Sequence, residues 1–245
     1  MSTAAPRDRA STTVSPRAEV RRGVRESIPL GFALVPIGLA FGYGAHVVGL
    51  SWWLAGLMST LVYGGPSQFI ATGLLSVGAS IPTIIATTFV ANLRYALFAA
   101  SLAPFLGDAP RARLLWLCQG LADGSYALTL AHARENESLP RKDRFLQGSF
   151  YVSFPAWVSS SIAGALIGGA LPEFLAYGLG FATPAIFIAL LVPYVRSARA
   201  VTVMLVAGVG TVLGNEHLPT GTGPLVAIIL AAVLGGLLPW RRRPR

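Results

Sequence analysis

The chain has little charge. Only 12% of its 245 residues are Asp, Glu, Lys or Arg, where a soluble domain carries about 25%. That shortfall excludes an ordinary soluble enzyme, because the uncharged remainder has to face lipid or packed protein. Acidic residues are scarcest, 10 against 19 basic ones, for a net charge of +9. The basic residues fall between apolar runs and do not gather in one patch, which excludes nucleic acid as a partner. There is one cysteine, Cys118; it has no partner for an internal disulfide and reads as a small buried residue. His46, His132 and His217 have no Cys or carboxylate at metal-ligand spacing, so no metal is expected and each reads as a solvated interfacial histidine. No phosphate-binding loop is present. No cofactor is expected, and any energy source has to be a gradient or another protein. Residues 1–27 lack the apolar stretch and small-residue cleavage site of a signal peptide.

What is present is apolar sequence. Hydrophobic residues make up 53% of the chain, and mean hydropathy is +0.62. The fold class is therefore all-α, a polytopic membrane helix bundle. A span needs about 20 mostly apolar residues. Eight are expected, at roughly 28–49, 52–78, 82–105, 112–132, 148–170, 173–194, 199–214 and 222–239. The seventh is short and glycine-rich, so seven spans stay open. Residues 1–27 read as a mostly disordered cytoplasmic tail, 28–239 as the transmembrane domain and 240–245 as a basic cytoplasmic tail.

Charge sets the orientation. With eight spans and the N-terminus in the cytoplasm, 16 basic residues lie inside and only two, Arg111 and Arg113, lie outside. That bias predicts cytoplasmic N- and C-termini. A weak internal repeat accompanies it. Pro36 precedes Pro66 by 30 residues, and Pro155 precedes Pro184 by 29. The segment from Gly64 to Ala71 then corresponds to that from Phe181 to Ile188. Transporters built from duplicated bundles line their substrate site with matched broken helices, although Pro and Gly are also common in membrane helices for packing reasons.

Two charges fall near mid-span, Arg94 and Asp123. Intramembrane charges are expensive and are functional candidates by default; a purely structural ion pair is the alternative. Tyr63-Gly64-Gly65-Pro66-Ser67-Gln68 should break the second span, because proline removes a donor and clashes with the preceding turn. A helix restarting at Pro66 would aim its first amides, and Gln68, at a cavity suited to a carboxylate. The alternative is a packing kink with Gln68 bonded to a neighbouring helix. Asn92 lies two residues before Arg94, a rotation of roughly 200° on a regular helix. Thr88, Asn92 and Tyr95 share a face instead. Trp52, Trp53, Trp116 and Trp240 read as interface anchors, and Trp157 as packing. Gly-x-x-x-Gly at Gly38/Gly42 and Gly164/Gly168 is weak evidence for dimerisation.

These motifs resemble a known family. Tyr63-Gly64-Gly65-Pro66-Ser67-Gln68 is similar to the aromatic-Gly-small-small-small-Gln signature of AzlC-type membrane proteins. Asn92-Leu93-Arg94-Tyr95 resembles their Asn-x-Arg-His signature, Gly31 to Gly44 fits their first span, and Asp123 matches an acidic position. The resemblance covers roughly residues 23–240, with the specific motifs within 31–125. It implies the large subunit of a branched-chain amino acid exporter, a secondary transporter of the bacterial inner membrane working with a small AzlD-type membrane subunit. The implied substrate-binding residues are Gly64, Gly65, Pro66, Ser67, Gln68, Asn92, Arg94 and Asp123. Two departures stand out: Tyr95 replaces the usual histidine, and Gly124 replaces an acidic residue that often follows the aspartate. Both remove titratable groups. A zwitterion suits the inventory, with Arg94 or the amides after Pro66 for its carboxylate and Asp123 for its ammonium group. A passive channel for a small solute is the competing reading. An intramembrane protease is disfavoured, because no histidine is placed at mid-span to activate a serine.

Overall fold

The computed structural model describes residues 15–106, 109–136, 142–170 and 197–238, with isolated positions between 185 and 195. Among the described residues there is helix and no strand. The helices are α1 (Pro16–Val47), α2 (Trp52–Leu61), α3 (Gly65–Ser76), α4 (Ile81–Leu106), α5 (Arg111–Cys118), α6 (Asp123–Glu135), α7 (Lys142–Ile167, continued by a 3-10 turn over Gly168–Ala170), α8 (Ala198–His217) and α9 (Thr222–Leu237). Among the described residues, four segments are long and apolar enough to cross a membrane: Pro16–Val47, Ile81–Leu106, Lys142–Ala170 and Ala198–His217. Apart from those isolated positions, the expected span at 173–194 lies outside the described residues, as do Pro184 of the repeat, Trp240 and the tail 240–245. Ile81, Ile85, Phe89, Leu93 and Leu97 stand one turn apart along α4, and all are at least half exposed. An exposed aliphatic stripe of that length suits lipid.

Helix α1 begins at Pro16, inside the stretch expected as a tail. Ser15 caps it, accepting a hydrogen bond from the Ala18 amide at 3.2 Å. Proline follows in the first helical position, where its missing N–H is harmless. Arg22 and Glu26 then pair at 2.7 Å across one turn.

The chain divides into two compact units. The first is Met1–Leu30 with Phe98–Ser153; the second is Gly31–Leu97 with Phe154–Arg245. In the first unit α1 and α7 run in the same direction with backbones almost touching. A Cβ on Gly23 would lie 2.2 Å from the Phe145 carbonyl, and one on Gly148 2.2 Å from that of Val20. In the second unit the same two helices continue this packing: a Cβ on Gly42 would meet the Ser161 carbonyl at 2.0 Å, and one on Gly164 that of Leu39 at 2.2 Å. The two Gly-x-x-x-Gly motifs thus pack within the chain, which removes them as evidence for a dimer. The proline repeat aligns position 42 with position 161, and these aligned positions lie side by side.

Two expected spans are not single crossings. In segment 52–78 the amide of Gln68 donates to the Ser59 hydroxyl at 3.0 Å. Nine residues on a continuous helix rise about 13.5 Å, further than those two side chains reach. Met58 of α2 also packs on the cluster that includes Ala71 and Leu74 of α3. So α2 and α3 are antiparallel arms of a hairpin with its tip at Tyr63 and Gly64. Segment 112–132 folds back likewise. Arg113 of α5 pairs with Asp143 at 2.7 Å, and His132 of α6 stacks on Phe145 with ring centroids 4.0 Å apart. Both arms therefore reach the same end of α7. On a continuous helix residues 113 and 132 would be about 28 Å apart. Leu117 and Leu121 are buried with Leu102 and Leu146 between the arms and their neighbours. The consequence for charge is direct: Arg111 and Arg113, the two exceptions to the basic asymmetry, lie at the basic end of the first unit beside Asp143 and Arg144.

The last two helices form a third hairpin in the second unit. Gly214 backs on Gly223 and Gly210 on Ala227, while Arg199 donates to the Gly235 carbonyl. Its turn ends at Gly221, whose φ of 81° favours glycine and which packs on Ala79.

Candidate functional site

The break between α2 and α3 is the most unusual piece of backbone among the described residues. Helix α2 stops at Leu61. Tyr63 has a φ of 44° and is the one non-glycine residue with a positive φ among the described residues. Such a conformation costs about 1–3 kcal/mol, and Tyr63 is held in it with its side chain 5% exposed and its ring 5.1 Å from that of Phe154. Gly64 is extended, and α3 starts at Gly65 with Pro66 in its first turn. The helix thus restarts one residue earlier than expected. The Ser67 hydroxyl donates back to the Gly64 carbonyl at 2.8 Å.

Three side-chain oxygens converge on Gly64. A Cβ there would lie 2.7 Å from Ser67 Oγ, 3.0 Å from the Tyr95 hydroxyl and 3.4 Å from Asn92 Oδ1. Asn92 Oδ1 is buried and makes no hydrogen bond, a state that costs about 1–3 kcal/mol for a buried polar atom. Arg94 is joined to the same group: its Nη2 donates to the Tyr95 hydroxyl at 3.0 Å. This resolves the opposition between Asn92 and Arg94. The helix is regular there, Asn92 and Tyr95 share the face toward Gly64, and Arg94 reaches that face through Tyr95.

Gln68 stands elsewhere. It is fully buried, donates to Ser59 and accepts from the Trp157 indole at 3.0 Å. Its amide is engaged on both sides, so the packing alternative describes it and it is not presented to a cavity. Trp157 also covers Gly65, with a Cβ there 3.2 Å from its ring, and stacks on Phe41 at 6.1 Å. Gln68 and Trp157 clamp the hairpin tip.

Asp123 belongs to the first unit and Arg94 to the second, so each is described with its own neighbours. Asp123 is half-buried and is the first residue of α6, where the helix dipole favours a carboxylate. It sits at a break and not midway along a helix. Ser125 organises that break: its hydroxyl accepts from the Ala122 amide at 2.9 Å and donates to the Gly120 carbonyl at 2.7 Å. Ser67 and Ser125 thus occupy the same place, three residues past the cap, in two restarted helices. Gly124 packs against Leu30. A cavity of about 380 Å³ in the first unit is lined by Leu102, Leu106, Leu114, Leu117 and other small or aliphatic residues.

Two expectations are corrected here. His132 is 3% exposed, bonded to Glu19 at 2.9 Å, and is not a solvated interfacial group. Cys118 is exposed, because α5 buries Leu117 and turns the next residue outward. His46 and His217 are exposed, as are Trp52, Trp53 and Trp116, while Trp157 is buried. No group of three potential metal ligands occurs among the described residues.

The family model described as AzlC protein matches residues 29–171, more than half of the chain. The inner membrane protein YgaZ of Escherichia coli K12 is 26% identical over 178 residues, covering 71% of this chain and 72% of that one. A membrane protein of Archaeoglobus fulgidus, itself uncharacterized, is 31% identical over 229 residues, covering 92% and 96%. One from Helicobacter pylori 26695 is 31% identical over 164 residues, covering 67% and 69%. No solved structure matches. The chain belongs to the AzlC family and is an all-helical membrane protein.

Proposed function

We propose that this protein is a secondary transporter that exports branched-chain or other hydrophobic amino acids from the cytoplasm. It acts in a bacterial inner membrane together with a small AzlD-type membrane subunit, and both of its termini are cytoplasmic. The observation that carries the reading is the tip of the α2–α3 hairpin. Irregular backbone at membrane depth is tolerated where it faces protein or a watery cavity, and here it meets a buried acceptor without a partner, Asn92 Oδ1. An ammonium group supplies what that acceptor lacks. Arg94 and the first amides of α3 suit the carboxylate of the same zwitterion. Asp123, the first residue of α6 in the first unit, is assigned separately as an ammonium-binding carboxylate. Gln68, with Trp157, positions the tip and does not touch substrate. Family membership supports the substrate class and the partner. The basic end of the first unit supports a cytoplasmic N-terminus. For the C-terminus, the support is that Arg199 and the end of α9 share one end of their hairpin.

Cells lacking this protein and its partner, fed dipeptides of valine, leucine or isoleucine, should accumulate the corresponding free amino acids. Unchanged internal pools would remove the substrate assignment.

A further inference from the structure

The first unit holds a buried acid–histidine pair that the substrate site does not use. Glu19 of α1 and His132 of α6 meet at 2.9 Å, with side chains 2% and 1% exposed. The ring of His132 lies flat on Phe145 of α7. Asn136 is at the other ring nitrogen, 3.4 Å away. The neighbouring charges are otherwise occupied. On α1, Arg22 is paired with Glu26 and also feels Glu19 and Glu135. On α6, Arg134 and Glu135 are exposed. On α7, Asp143 is held by Arg113 and approached by Arg144, and Lys142 lies over the Phe105 ring.

A second observation lies one turn further in. Thr129 is three residues before His132 on α6. Ser27 and Ser149 are each four residues beyond the contact between Gly23 and Phe145. All three side chains are fully buried, and their hydroxyl oxygens have no hydrogen-bond partner. A hydroxyl can donate and accept at once, so each can bond a polar group that enters beside the pair. Leaving three of them unsatisfied in a purely structural core would cost about 1–3 kcal/mol each.

We propose that Glu19 and His132 form a proton-binding site that couples export to the proton gradient, with the buried hydroxyls of Thr129, Ser27 and Ser149 lining the path to it. The proposal rests on the transport reading above. Charge counting explains the choice of ligand. With one proton shared between carboxylate and imidazole, the pair is net neutral; without it, a buried negative charge remains. Binding and release of that single proton breaks no covalent bond and needs no other reactant. Helix α6 links the pair to Asp123, since Asp123 is its first residue and His132 its tenth. A change in the pair's grip on α6 is therefore felt at Asp123. The pair also supplies titratable groups that positions 95 and 124 of this chain lack.

The test uses the protein reconstituted with its partner, with His132→Gln, Glu19→Gln and the milder Thr129→Val. Two assays separate coupling from transport: exchange of labelled leucine across the bilayer without a gradient, and accumulation driven by a pH gradient. The expected result is that exchange persists in all three while driven accumulation is lost in the first two and slowed in the third. Driven accumulation equal to wild type would overturn the proposal. So would parallel loss of exchange and accumulation at normal protein level, which would make the pair structural. If wild type itself shows no exchange, the transport reading fails first and takes this proposal with it.

Discussion

The Arg94 guanidinium donates to the Tyr95 hydroxyl at 3.0 Å and lies 4.9 Å from the centroid of the same ring. Adjacent residues on a helix point about 100° apart, so only a long side chain bending toward its neighbour makes this contact. It brings a positive charge to the face that carries Asn92 and confronts Gly64. Tyr95→Phe should keep the ring and remove this hydrogen bond to the guanidinium. We expect weaker substrate binding, read as a raised KM, with membrane protein level unchanged.

Arg94 and Asp123 separate structure from function most sharply. A charge at the bilayer centre costs roughly 2.5–3.5 kcal/mol on insertion scales. If the two act only as a structural pair, removing both should restore folding and export. If each contacts substrate in its own unit, Arg94→Ala with Asp123→Asn should fold and still not export. We expect the second outcome. It is checked by export rate and membrane protein level in both single variants and the double variant.

Gly64 leaves the space in which the oxygens of Ser67, Tyr95 and Asn92 converge. Gly64→Ala puts a methyl group there, 2.7–3.4 Å from all three. These are the ends of side chains and can shift, so the helices should still assemble. Export should fall while protein level and thermal stability change little. Unchanged export would mean that this space is not on the substrate path.

The α1–α7 contact offers a stability test with an internal control. Gly42→Val drives a side chain into the Ser161 carbonyl, 2.0 Å from the Cβ position, whereas Gly44 on the same helix has nothing within 4 Å. Backbone cannot yield as a side-chain tip can. We expect Gly42→Val to destabilise by about 1–3 kcal/mol and Gly44→Val to be near neutral, measured by thermal unfolding in detergent.

The sequence made the helical membrane class, the break at Gly64 and the packing role of Trp157 legible. It did not show that segments 52–78 and 112–132 turn back. Hydropathy counts apolar residues along a line, and two short arms of a hairpin add up to one span. The clue in the first case was Tyr63-Gly64-Gly65-Pro66, read as a kink where the backbone reverses. In the second it was polarity: Arg113, Gln119, Asp123 and His132 are many for a single crossing helix. The pairing of Glu19 with His132 joins residues 113 positions apart, and no local pattern announces it. Asn92 and Arg94 looked incompatible on one regular helix because the face shared by Thr88, Asn92 and Tyr95 was read without the reach of the Arg94 side chain to the Tyr95 hydroxyl.

The hairpin over α5 and α6 has its own check. Ala109→Cys and Asn136→Cys, each in a Cys118→Ser background, should both react with an impermeant maleimide from the cytoplasmic side and neither from outside. Labelling from opposite sides would restore a single crossing and return Arg113 to the outer face.

The central claim is saturable export of hydrophobic amino acids. Inside-out vesicles containing the protein and its small partner should take up labelled leucine, valine, isoleucine and methionine. That uptake should saturate with concentration, respond to a proton gradient and be lost in Gly64→Ala. Uptake that never saturates, or equals that of vesicles lacking the protein, would contradict the account; the first result would make the protein a channel and the second would leave it without this substrate.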